Sequence, residues 1–224
     1  GGFGLVFAFA GAIYAIQTTT IANAVFLFTA SPFVAAVLGW IVLGERVKPW
    51  TWAAIGLAVF GMYLMVREGL AIGALAGNIA ALLSAAGFGA FSVCLRWGKV
   101  GDMLPVSMLG GVFSILVAGV ILLLRGEPII VSPWDMGVSM GIGAAILALG
   151  MVMFALGSRV IPAAELAILS LIEVLLAPVW VFLFLSETAS AGTFVGGGVL
   201  LAAVCLNAIM GAREQLAEGL AKSP

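Results

Sequence analysis

Two carboxylates stand in a stretch otherwise fit for lipid: Ala164–Trp180 reads AELAILSLIEVLLAPVW and contains Glu165 and Glu173. Glu173 lies about twelve residues beyond Ile161, and at about 1.5 Å per helical residue that is about 18 Å, close to a bilayer midplane. A charge at that depth costs at least about 3 kcal/mol on insertion scales, so the side chain must face a cavity, a partner or water. Ser170 and Ala177 flank it at helical spacing, with Trp180 one turn further on, which makes a polar, small and aromatic stripe. Three roles stay open for Glu173: holding the ammonium or amine of a solute, exchanging a proton during transport, or staying protonated and bonding a neighbouring helix for structure. Glu165 falls just inside a helix that begins near Pro162. There it either satisfies first-turn amides, makes a gate-side polar contact, or touches the solute directly.

Asn23, Asn78, Ser84, Ser92 and Tyr14 could offer hydrogen bonds to a solute or to a helix backbone. Met151, Met153, Phe88 and Phe91 could form an adaptable apolar wall or ordinary packing. Arg96 and Arg159 lie at helix ends, where snorkelling or topology is the natural role. Other chemistries are excluded by what the chain lacks. There is no histidine, so the commonest general base and metal ligand is absent. Cys94 and Cys205 stand alone in apolar helices without CxxC spacing, and no acidic cluster of the DDxxD kind occurs. No metal, no cofactor and no catalytic residue is therefore expected. A formal net charge of −1 with no basic cluster gives nucleic acid no footprint.

The elements that must position these groups follow from composition. The chain is 64% hydrophobic and 8% charged, with a mean hydropathy of +1.29, against about 25% charged for a soluble domain. Only helices or closed barrels satisfy their backbone in lipid, and long unbroken apolar runs select helices. Eight spans are predicted: Gly2–Ile16, Thr20–Leu43, Trp50–Val66, Leu70–Leu95, Leu104–Leu124, Gly137–Gly157, Ala163–Leu185 and Thr193–Met210. Alternate loops place Arg46, Lys48, Arg96, Lys99, Arg159, Arg213 and Lys222 on one side and Arg67 and Arg125 on the other, so the first side is expected to be cytoplasmic, C-terminus included. Trp50, Trp52, Trp97 and Trp134 fall at span boundaries, as interfacial aromatics do. Gly73–Gly77, Gly137–Gly141 and Gly192–Gly196 have close-packing spacing and read as helix contacts rather than hinges.

An internal repeat organises the spans. Laying residues 17–66 over residues 159–208 pairs Asn23 with Glu165, Ser31 with Glu173, Leu43 with Leu185, Glu45 with Glu187, Thr51 with Thr193 and Gly56 with Gly198. The loop Arg46-Val47-Lys48-Pro49 faces Thr188-Ala189-Ser190-Ala191, so one copy is basic and the other has lost its cations, as opposite orientation demands. Opposite orientation needs an odd number of helices per repeat. The second copy supplies five and the first three, so two N-terminal helices are expected before Gly1. Residues 1–69 then form the last three helices of one repeat, residues 70–210 a five-helix repeat, and residues 211–224 a polar cytoplasmic tail.

Ser31-Pro32-Phe33 with the helix ending Leu43-Gly44-Glu45, and Glu173 with the helix ending Leu185-Ser186-Glu187, resemble the two EamA repeats of the drug/metabolite transporter superfamily. The resemblance implies an all-α, polytopic transmembrane bundle, with eight helices present of a ten-helix, five-plus-five inverted-repeat transporter. It also implies a central cavity lined by Gly2–Ile16, Thr20–Leu43, Leu70–Leu95, Gly137–Gly157 and Ala163–Leu185. Val174 follows Glu173 where the family usually has proline, a departure at the acid itself. The expected function is a secondary active exporter of small metabolites, amino acids or related amphipathic amines, working by alternating access in a bacterial inner membrane, with lipid as partner and a proton as a coupling ion to be tested. Glu173, Ser170, Trp180, Glu165, Asn23, Ser31, Ser84 and Tyr14 are its expected substrate-binding or coupling residues. The rival readings are an intramembrane enzyme, which lacks a nucleophile–base pair here, a channel, and a structural membrane subunit.

Overall fold

A computed structural model of the protein describes residues 1–71, 74–98, 104–126, 132–157, 176, 180–181, 183–184 and 190–222. Seven of the eight predicted spans appear there as helix. The span Ala163–Leu185 lies outside the described residues except for its helical positions 176, 180–181 and 183–184. The helices are α1 (Gly2–Thr18), α2 (Ile21–Phe28), α3 (Ser31–Leu38), α4 (Pro49–Ala71), α5 (Leu75–Trp97), α6 (Leu104–Arg125), α7 (Pro133–Ile142), α8 (Leu149–Gly157) and α9 (Ala191–Lys222), with π-helical segments at Gly39–Leu43 and Gly143–Ala148.

Several boundaries differ from the sequence reading, among them the start of α7 at Pro133 rather than Gly137. The span Thr20–Leu43 is interrupted at Thr29-Ala30, because Pro32 in the first turn of α3 has no amide to donate back. Thr29 eases the break by donating its hydroxyl to the Phe26 carbonyl at 2.7 Å. The lower part of that span widens into the π segment and stops at Gly44, whose left-handed φ of 66° suits a residue without Cβ. Arg67 and Glu68 do not break the chain: α4 runs through them to Ala71, and α5 starts at Leu75 rather than Leu70. The expected polar tail is the continuation of α9 to Lys222.

α5 is the hub. It packs against α1, α2 and α3 through Gly77, Ala80, Ala81, Ser84, Ala85, Gly87, Gly89 and Phe91, all buried. Small residues matter here because lipid tails are as apolar as the helices, so association depends on close backbone approach. A Cβ on Gly4 would sit 2.7 Å from the Gly87 carbonyl, and one on Gly87 would sit 2.6 Å from the Gly4 carbonyl. α4 and α9 form the second tight pair through Gly61 and Gly196, where a Cβ on either would come within 2.6 Å of the other's carbonyl. This pair is antiparallel: Lys48 at the start of α4 meets Glu214 near the end of α9, and Gly61 meets Gly196 in its first turns. Gly77 and Gly196 therefore make the helix contacts their spacing predicted, whereas among the described residues none comes within contact distance of a Cβ at Gly137 or Gly141. Buried clusters of Ala15, Ala24, Phe26, Leu27, Met65, Ala81 and Leu201, and of Phe33, Ala54, Ala58, Leu200 and Ala203, tie α2 and α3 to the α4–α9 pair.

Among the described residues, four helical stretches are long and apolar enough to cross a membrane: Ile21–Leu43, Pro49–Arg67, Leu75–Trp97 and Ala191–Glu214. Leu124, Trp134, Met140 and Ile115 are mostly exposed. In water such surface would be untenable; facing lipid it costs nothing, and the chain is an integral membrane protein.

Candidate functional site

The start of α2 brings polar side chains into the core. Thr20 caps that helix by accepting the Asn23 amide at 3.3 Å, which turns the Asn23 side chain inward to 4% exposure. There it meets Asn78, in the first turn of α5 and 0% exposed. Asn23 Nδ2 donates to Asn78 Oδ1 and to Thr19 Oγ1 at 3.4 Å. Thr19 Oγ1 donates to the same Asn78 oxygen at 2.9 Å. From the far side Thr193, in the first turn of α9, donates its hydroxyl to Asn23 Oδ1 at 3.4 Å. Ser190 caps α9 by accepting the Thr193 amide at 3.2 Å, and its hydroxyl lies 2.9 Å from that of Thr193.

The cluster thus joins the end of α1 to the starts of α2, α5 and α9. None of these three helices carries an acid in its first turn, and no side chain caps α5. Their positive ends converge on a neutral amide and hydroxyl network. One group is left over: Asn78 Nδ2 is buried and has no hydrogen-bond partner, the sole such side-chain atom among the described residues.

The opposite end of the bundle is ionic. Arg96, at the end of α5, donates from Nη1 to Glu45 at 2.6 Å and from Nη2 to the Ala35 carbonyl at 3.3 Å. Lys48 pairs with Glu214 and lies over the Trp50 ring at 5.7 Å. Beside it Thr51 donates to Asn207 Oδ1 at 2.8 Å. Arg46, Lys48, Arg96 and Arg213 belong to this end, the grouping that alternate loops predicted.

The expected site residues divide. Asn23 stands in the cluster, together with Asn78 from the wider set. Ser84 is buried between helices and donates to the Ala8 carbonyl at 2.6 Å, so its hydroxyl fastens α5 to α1. Tyr14 is 49% exposed on α1. Ser31, half-buried, opens α3, and its carbonyl faces Gly89 at the α3–α5 crossing. Trp180 is exposed and its ring stacks on Phe184 at 5.6 Å. Glu165, Ser170 and Glu173 lie outside the described residues. Phe91 is buried and Phe88 exposed, while Met153 faces outward. Sequence reasoning did not assign Thr19 or Thr193 to the cluster; hydroxyl residues at predicted helix starts beside an apolar-run asparagine were the available signal. No group of metal-ligating side chains occurs among the described residues.

A sequence model of the EamA-like transporter family matches residues 1–67, the segment from α1 into α4. Over this segment the chain is similar to that family, a family of membrane transporters. No curated protein matches the chain. A crystal structure described no further than as that of a protein matches with a TM-score of 0.56 at 19% identity, covering 95% of this chain and 76% of that one. At that identity the likeness concerns the fold alone.

Proposed function

We propose that the protein is a secondary active exporter of small metabolites, amino acids or related amphipathic amines, working by alternating access around a cavity between two inverted halves. The observation that carries this reading is the α4–α9 pair. These helices occupy corresponding places in the two copies of the sequence repeat, and they run antiparallel through reciprocal glycines. Their first-turn threonines, the repeat mates Thr51 and Thr193, bond asparagines at opposite ends of the bundle. An inverted pair of this kind is what two halves rocking about a shared axis require.

Apart from the Ser84 hydroxyl on the Ala8 carbonyl midway along α1 and α5, the side-chain contacts between the first four helices and those that follow gather at the two ends: Glu45–Arg96, Lys48–Glu214 and Thr51–Asn207 at one, Asn23–Asn78 and Asn23–Thr193 at the other. Either set can part while the other holds. In this reading the basic end and the C-terminus face the cytoplasm of a bacterial inner membrane, and Glu173 binds the amine or carries the coupling proton.

Counterflow of a labelled amino-acid panel in proteoliposomes tests the proposal, with Glu173→Gln alongside. Saturable exchange that the glutamine variant loses is expected. Folded protein that exchanges neither amino acids nor amines would overturn the carrier reading.

A further inference from the structure

We propose that the Asn23–Asn78–Thr193 cluster is a carboxylate-binding site at the end of the bundle remote from the basic loops, with Asn78 Nδ2 its principal donor. The inference deepens the exporter reading and rests on it for the identity of the bound group as part of a transported solute.

The proton account supports a missing acceptor. Asn78 Oδ1 receives two bonds, from Asn23 Nδ2 and Thr19 Oγ1. Asn23 uses both its donor and its acceptor atoms. Thr193 bonds Asn23 and the Ser190 hydroxyl. Only Asn78 Nδ2, in a residue 0% exposed, has nothing to donate to, and a buried orphan donor calls for an explanation. Turning the Asn78 amide over would set its NH2 against that of Asn23. Turning both amides together would leave Asn78 Oδ1 unpaired instead and would favour a cation.

The surrounding field decides between these arrangements. Three helix starts converge here without a first-turn acid among them, against the single opposing end of α1 at Thr19, and α5 has no side-chain cap, so its first amides add further donors. Helix starts attract anions and repel cations. Gly77 brings the α5 backbone against Thr18 and Thr19 so closely that a Cβ there would fall 2.7 Å from the Thr19 amide nitrogen. That contact holds the donors together. An oxyanion of modest charge and small cross-section fits this setting. A phosphate, which calls for buried Lys or Arg, does not. In the closed arrangement Asn23 Nδ2 is spent on Asn78 Oδ1; when the end parts, a solute carboxylate takes that donor together with Asn78 Nδ2.

The test uses thermal unfolding of the purified full chain in detergent with three probes: leucine, 4-methylpentanoate, which keeps the carboxylate without the amine, and leucinamide, which keeps the amine without the carboxylate. Leucine and 4-methylpentanoate should raise the midpoint saturably and leucinamide should not. In Asn78→Leu the half-saturating concentration should rise about tenfold or more, the effect of losing a hydrogen bond to a charged acceptor. Because leucine at this position could misfold the chain, Asn78→Asp serves as the isosteric variant. Its carboxylate still accepts from Thr19 and Asn23 and brings its own anion, so it should fold and ignore all three probes. A response to leucinamide alone, an unchanged response in Asn78→Asp, or no response of the wild type to either carboxylate would overturn the proposal, the last leaving the position to an ordered water. Counterflow on the same preparations separates the two readings. Flux with a carboxylate response indifferent to Asn78 defeats the site and keeps the carrier; a response dependent on Asn78 without flux does the reverse.

Discussion

The two ends of the bundle hold the same helices together by opposite chemistry. At the basic end the partners are charged and wet: the side chains of Arg96 and Glu45 are 46% and 40% exposed, and those of Lys48 and Glu214 are 47% and 30% exposed. At the other end Asn23, Asn78 and Thr193 are neutral and buried. Exposed ion pairs contribute about 0–1 kcal/mol each, because water takes back either charge readily. A buried amide that loses its partner has no such refuge and costs about 1–3 kcal/mol. The ionic end can therefore open into water at little cost, while the amide end opens favourably only when water or a solute replaces the lost bonds. In a carrier this difference makes the ionic end a latch sensitive to salt and the amide end a latch sensitive to its ligand.

The largest effect should come from a change that unseats both ends at once. Gly61→Val puts side-chain atoms into the α4–α9 crossing, where even a Cβ meets the Gly196 carbonyl at 2.6 Å. A loss of about 3 kcal/mol is expected, the upper part of the usual overpacking range. Denaturation of the detergent-solubilised protein would measure it, and an unchanged midpoint would mean that the crossing does not hold the ends in register. Next comes Asn23→Leu, which deprives Asn78 Oδ1 of a donor and Thr193 of its acceptor inside the core. About 2 kcal/mol should be lost. Should this variant be as stable as Arg96→Gln, the contrast between a dry end and a wet end would collapse.

The spans were legible because lipid leaves a strong mark: apolar runs of helical length bounded by charge. Boundaries were harder where charge and helix end part company. Arg67 and Glu68 signal the edge of the apolar zone, yet the backbone continues helical to Ala71, since long charged side chains can reach water from within a helix. Asn23 and Asn78 were each recognisable as polar groups in apolar runs, but not as partners. Their meeting depends on α1, α2 and α5 crossing closely, which Gly4, Gly87 and Gly77 permit, and no periodicity announces such a crossing. Ser84 illustrates the converse, a polar residue on a helix that proved to bond the neighbouring backbone. Thr193 was visible only as the repeat mate of Thr51; that both threonines bond asparagines follows from where their helix starts lie in the folded bundle.

The smallest effect sharpens the comparison most. Arg96→Gln removes one charge from the Glu45 pair but leaves a side chain that can still hydrogen-bond the Glu45 carboxylate. The expected loss of stability is below about 1 kcal/mol in dilute buffer. Raising the ionic strength should shrink the difference between wild type and variant, because exposed charges are screened within about 8 Å at physiological salt and within about 3 Å at 1 M. The deficit of Asn23→Leu should not respond to salt, since no net charge is lost. Denaturation midpoints of the three proteins at low and high salt would separate the cases. A salt-dependent deficit in Asn23→Leu would mean that the buried cluster works through charge after all, drawn from the helix ends that converge on it, and the distinction between the two latches would then be one of burial rather than of chemistry.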